Sequence, residues 1–229
     1  MSLNISFARR RTQRGMSMVE LMVGVALGLF IVAGAVTVFV THLRNSRALL
    51  VEARVNQDLR ATADLISRDL RRAGYWGNSL AGTVAVGPTS ATAVNPYRTV
   101  TPNAGASKIE YQFSRDVAED DTLGSNEQFG FQLNSGIVQM KTDGAPTWQP
   151  LTDPNVLTVT ALTIVPTETV LDIRESCART CTGVGCPTLT VRQYLLTLTG
   201  QSTTDANVSR TLQTRARVRN DILAGTCPV

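Results

Sequence analysis

One histidine, His42, serves a chain of 229 residues, and aromatic side chains make up only 5% of it. With a single imidazole, lying near the end of an apolar run, no Ser-His-Asp or Cys-His arrangement and no His-rich metal site can be built in the C-terminal part. Enzyme is therefore the weaker class, and no cofactor is expected. Proline is missing between Met16 and Gly87, so nothing there forces a helix to stop. Acids are missing from the first 15 positions, which carry Arg9, Arg10, Arg11 and Arg14. Those four belong to a total of 22 basic residues, and the 18 that remain face 18 acids over residues 16–229. The body of the chain is formally neutral, and the basicity sits in a leader. A nucleic-acid partner, which would require a basic face on the folded part, is not expected.

All four charged residue types are absent from Leu21 to Leu43, a stretch of 23 residues, where about 20 suffice to cross a bilayer core as a helix. The preceding arginines favour a cytoplasmic N-terminus and place everything after Leu43 outside. Beyond that point Val51, Val55, Leu59, Thr62, Ile66, Leu70 and Ala73 recur at steps of three and four. Charged residues, among them Glu52, Arg54, Asp58, Arg60, Asp64, Arg68, Asp69 and Arg71, fill the other faces. The pattern predicts one helix from about 17 to 73, amphipathic in its second half and closed by Gly74. At 1.5 Å per residue such a helix is about 85 Å long.

After Gly77 the composition turns to Thr, Ser, Gly, Val and Pro. Strand patterns run over 108–114, 129–141, 156–165, 189–199 and 208–220, with a hairpin turn at Asn134-Ser135-Gly136. The fold class is α+β, with the stripe of the helix lying across an antiparallel sheet. The expected organisation is a leader over 1–15, a membrane half of the helix over 16–43, an amphipathic half over 44–74 and a β domain over 75–229. Segments 78–107 and 114–127 read as loops.

Residues 14–36, RGMSMVELMVGVALGLFIVAGAV, can be read as a plain signal anchor or as a secretory signal cut near Ala33-Gly34-Ala35. Against the second, the apolar region is long and the cut would sever a helix whose pattern continues. The order of features is also telling: a basic leader ending in Gly15, four neutral residues, Glu20, and then about twenty apolar residues. This order resembles the class III signal of type IV pilins. The resemblance implies cleavage by prepilin peptidase between Gly15 and Met16, N-methylation of Met16, and an assembly role for Glu20. Met16 stands where phenylalanine is more usual in that family, and Thr37 where many major pilins carry a proline. Apart from any family, a lone carboxylate in hydrocarbon needs a partner, and the α-amine freed at Met16 is the nearest candidate, in its own subunit or a neighbour. Gly24 and Gly28 form a G-x-x-x-G that permits close helix approach.

Cys177, Cys181, Cys186 and Cys227 are even in number and follow a membrane-directed N-terminus, which fits disulfides in an oxidising compartment. A four-thiolate zinc site is the alternative, though its spacings are unusual. Four cysteines permit three connectivities; the one expected closes a local loop with Cys181–Cys186 and ties down the C-terminus with Cys177–Cys227. The acidic run Asp116, Glu119, Asp120 and Asp121 lacks the spacing of an EF-hand loop and reads as solvated. No metal site is expected. Asn207-Val208-Ser209 matches a glycosylation triplet that a bacterial chain would ignore.

The stretches DLISRDLRRAGYWGN (64–78) and SGIVQMKTDGAPTWQPLTDPNVLTVTALTIVP (135–166) resemble PilW-type minor pilins and the J-type minor pseudopilins of type II secretion. That resemblance implies the type IV pilin fold and a low-abundance subunit that helps initiate pilus assembly in a priming or tip complex. It also implies an inner-membrane location with a periplasmic domain. The implied partners are other minor pilins, the major pilin, prepilin peptidase and the inner-membrane assembly machinery. A pseudopilin of type II secretion and a pilus-tip adhesin are the competing readings.

Overall fold

The computed structural model describes residues 15–82, 93–103, 105–142 and 147–228. The leader arginines and part of the loop read over 78–107 lie outside them. Among the described residues a single α-helix, α1 (Met18–Arg72, 55 residues), comes first and is followed by strands and short 3-10 turns. The chain divides into two compact units, Met1–Leu49 and Leu50–Val229. The first contains only α1 residues beyond Ser17, and none of its described side chains is buried. The second contains the rest of α1 and all strands.

Strands β1 (Val100–Pro102), β2 (Lys108–Gln112), β3 (Gln128–Asn134), β4 (Ile137–Lys141) and β5 (Gln149–Pro150) form an antiparallel meander in sequence order. Asn134 pairs with Ile137 across the β3–β4 turn. Ser135 and Gly136 both adopt positive φ there (50° and 81°), as a two-residue type I′ turn requires. A second sheet holds β6 (Leu157–Asp172), β7 (Thr188–Ser202), β8 (Ser209–Arg217) and β9 (Ile222–Ala224). In it β7 pairs with β6 on one edge and with both β8 and β9 on the other.

Two sheets therefore stand where sequence patterning suggested one. The break falls at Pro150 and Pro154, which have no backbone N–H to carry a ladder forward. Strand β6 also runs seven residues past Val165, through Pro166, with its whole extension exposed. An edge strand tolerates that proline because its outward N–H has no ladder partner to lose.

The helical stripe is the common wall of the core. Val55, Leu59, Ala63, Ile66 and Leu70 are at most 2% exposed. They cluster with Ile109, Tyr111, Phe129 and Phe131 of the first sheet and with Leu157, Ile164, Leu196 and Leu198 of the second. Tyr111 ties helix to sheet twice. Its ring stacks near Phe129 and Phe131, and its hydroxyl donates to Asp69 Oδ2 at 3.1 Å. Burial, reinforced by that carboxylate, pushes the Tyr111 hydroxyl well above its usual range.

The end of α1 is closed by groups from distant segments. Gly74 takes φ +73°, the left-handed conformation that ends helices at low cost for glycine. The last carbonyls, which have no partner within the helix, accept from elsewhere. Arg219 N donates to the Arg71 carbonyl, Asn220 Nδ2 to that of Ala73, and Asn95 Nδ2 to that of Gly74.

The turn that follows is held by the acidic run. Gly77 N and the Tyr97 hydroxyl each donate to Glu119 at 2.9 Å, Asp121 N donates at 3.2 Å, and Trp76 Nε1 donates to Asp121 Oδ1 at 2.7 Å. Burial alone would raise the Glu119 carboxyl, but hydrogen bonds from Ser114, Tyr97, Gly77 and Asp121 outweigh it and hold the group below its usual value. Tyr97, buried and facing this carboxylate, is pushed far above its usual range. The run is thus a clamp rather than a free solvated loop.

Two measurements follow from this packing. Ile66→Ala should cost about 2–5 kcal/mol in urea unfolding, because the void lies between two sheets that cannot both collapse into it. Asp64→Ala, on an exposed position of the same helix, should change stability by no more than about 0.5 kcal/mol. For Glu119 the folded value lies below the unfolded one of 4.5. Its contribution is therefore complete above that pH and is lost as pH falls through the folded value. Urea midpoints should accordingly fall more steeply in wild type than in Glu119→Gln on going from pH 5 to pH 3. Parallel curves would show that the clamp does not depend on the charge.

Candidate processing and assembly site

Gly15 and Met16 lie just outside the helix, both exposed, and nothing comes within 4 Å of a Cβ built on Gly15. Among the described residues nothing crowds the peptide of the expected cut. Helical bonding begins at once, with Leu21 N donating to the Ser17 carbonyl at 3.1 Å. Glu20 sits in the first turn, where the helix dipole favours an anion. No hydrogen bond or ion pair reaches its carboxylate among the described residues.

The two threonines of the apolar segment satisfy themselves. Thr37 Oγ1 donates to the Gly34 carbonyl at 2.7 Å and Thr41 Oγ1 to that of Thr37 at 2.9 Å. Such bonds remove the cost of a hydroxyl in lipid. Glu20 has no equivalent. Gly24 and Gly28, one turn apart, leave open space where a Cβ would stand, so that face is free for close approach. By length and composition α1 is able to cross a membrane, and the most apolar window of it is not buried at all. The large exposed side chains Met18, Met22, Phe30 and Phe39 leave an apolar surface that no described residue covers.

The cysteines form a separate constellation, in the second unit. Disulfides join Cys177 to Cys227 and Cys181 to Cys186, with Cα separations of 5.4 and 5.8 Å. All four are consumed, so none offers the thiolate that a zinc site needs. Gly183 and Gly185 take φ +95° and +99° inside the small loop, where residues with a Cβ are disfavoured. Thr226 N donates to the Gly185 carbonyl, and Gly225 packs so closely that a Cβ would stand 2.4 Å from the Cys186 carbonyl oxygen. The chain end is thereby pinned to the disulfide loop. Asp116, Glu119 and Asp120 bring carboxylate oxygens within 4.8 Å of one another. Glu119 there already accepts from Gly77, Tyr97 and Asp121.

The model of the prokaryotic N-terminal methylation motif matches residues 10–36 of the chain. It spans Gly15, Met16, Glu20, Gly24 and Gly28 together. The model of prepilin peptidase-dependent protein B matches residues 48–218, from the amphipathic half of α1 through β8. No curated protein and no solved structure matches the chain. With a family model covering most of its length and the methylation motif at its head, the chain belongs to the prepilin peptidase-dependent protein B family and is a type IV pilin-like protein.

Proposed function

We propose that this protein is a minor pilin that helps initiate type IV pilus assembly within a priming or tip complex. Prepilin peptidase cuts between Gly15 and Met16 and the new amine of Met16 is methylated. The helix then stays in the bacterial inner membrane with the disulfide-bonded domain in the periplasm, until the subunit enters the pilus. Its partners are other minor pilins, the major pilin and the inner-membrane assembly machinery. The role is structural and requires no catalytic group.

The observation that carries this reading is Glu20, a carboxylate without a partner at the head of an apolar and uncovered helix. A charge in hydrocarbon costs about 2.5–3.5 kcal/mol even on lenient scales. Pairing with the amine of Met16 removes much of that cost. When the amine belongs to a neighbour, the pair also fixes the stagger between two helices, and assembly becomes selective for subunits set in register. Gly24 and Gly28 let those helices approach closely.

Mass spectrometry of the membrane-extracted protein should find a mature N-terminus at methylated Met16. A start at Met1 or at Val36 would overturn the class. Glu20→Ala should leave that N-terminus unchanged and abolish co-purification with partner pilins, since only the pairing is removed. Normal co-purification of the Ala variant would sink the assembly role of Glu20.

A further inference from the structure

At the C-terminal end of α1 a cleft of about 600 Å³ opens beside the turn at Tyr75. Arg68, Arg71, Arg72, Arg115 and Arg219 line it around the buried ring of Phe113. Tyr75, about half exposed, stands at its rim. A neighbouring hollow is lined by Arg71, Arg217 and Arg219. Around Arg68, Arg71, Arg72 and Arg219 few acids offset this charge. Asp69 lies 3.5 Å from Arg72, which also stacks over Phe113 at 4.2 Å, and Asp221 lies 3.0 Å from Arg217. Among the described residues no ion pair reaches Arg68, Arg71 or Arg219.

Complementing the helix dipole accounts for basic residues in the last turn, Arg71 and Arg72. It does not account for Arg115, which comes from the segment after β2, or for Arg219, which follows β8. These are brought to the same cleft by tertiary structure, and the backbone bond from Arg219 N to the Arg71 carbonyl at 3.2 Å fixes two of them side by side. Among them Arg68, Arg71 and Arg219 hold like charge close together, which destabilises the domain unless an anion relieves it. Guanidinium forks suit carboxylates geometrically, and the Phe113 and Tyr75 rings add apolar ground. The cations come from more than a turn of helix and from two other segments of the chain.

We propose that this cleft docks an acidic segment of a neighbouring pilin-like subunit, one that bears several carboxylates. The proposal rests on the assembly reading above. The occupant is identified by its charge, which is complementary to the cleft, and by the extent of the basic surface it has to cover.

The test places the photo-reactive amino acid p-benzoylphenylalanine at Tyr75 of the full-length protein in cells that produce the pilin-like partners. The cross-linked peptide is then mapped by mass spectrometry. The expected product joins this position to an Asp/Glu-rich segment of another pilin-like subunit. In Arg71→Glu/Arg219→Glu its yield should fall at least about tenfold, since reversed charges repel the occupant. Arg71→Gln/Arg219→Gln, which removes charge without adding repulsion, should give an intermediate yield and guards against misfolding of the first variant. Arg54→Glu/Arg60→Glu, on exposed positions elsewhere on α1, should give the wild-type yield. An adduct to a neutral segment, to lipid or to phosphorylated glycan overturns the proposal. So does the absence of any adduct, or a yield that the cleft variants leave unchanged. A mature N-terminus at Met16 combined with any of those results defeats the docking proposal and leaves the assembly reading standing. A different N-terminus defeats the assembly reading itself.

Discussion

An apolar helical segment that is exposed along its whole described length is the constraint on which the rest depends. From Met18 to Leu49 no described side chain of α1 is buried, and the exposed surface is made of Val, Leu, Met, Ile and Phe. At about 25 cal/mol per Å² of apolar area, leaving even a handful of such side chains in water costs about as much as a small domain's whole stability. Lipid or other helices must supply the cover. A membrane can do so for the apolar side chains but not for Glu20, and the separation between those two needs divides anchoring from assembly.

The second unit answers the opposite problem. Its part of α1 buries a stripe, Val55 to Leu70, but ends in backbone carbonyls that cannot be satisfied within the helix. Arg219, Asn220 and Asn95 supply the donors, from segments about 145 and 20 residues further along the chain. Closing the helix therefore requires the tail after β8 and the loop before β1 to be in place. The Glu119 clamp adds the segment after β2, and the Cys177–Cys227 bond secures the chain end. Cross-linking across a long loop acts chiefly by restricting the unfolded chain, and by that account this bond outweighs the short-range Cys181–Cys186.

What could be read from the residues divides by distance along the chain. The helix expected over 17–73 is observed as Met18–Arg72, because its period and the glycine that ends it are local properties. The β3–β4 turn was legible for the same reason, with Ser135-Gly136 able to take positive φ. The short strands β1, β5 and β9 carry too few residues for any period, and pairing alone defines them. The acidic run looked solvated since its donors, Trp76, Gly77 and Tyr97, lie some 20 to 45 residues earlier. Arg68 and Arg71 likewise read as solvated faces of a helix. Their convergence with Arg115 and Arg219 has no signature in spacing.

The polar groups of α1 differ in what they ask of a neighbour. Thr37 and Thr41 bond backward to carbonyls of their own helix, so they are neutral towards any neighbour. Glu20 is an acceptor without a proton to share backward, and a helix's first turn presents it only with donors already aligned along the axis. The dipole eases the charge without neutralising it. A formal positive charge is still required, and within the apolar segment there is none, since Lys and Arg are missing from Leu21 to Leu43. Under the proposed cut at Gly15 that cation would become available only after the leader has gone, so removal of the arginines would be the precondition of pairing at Glu20.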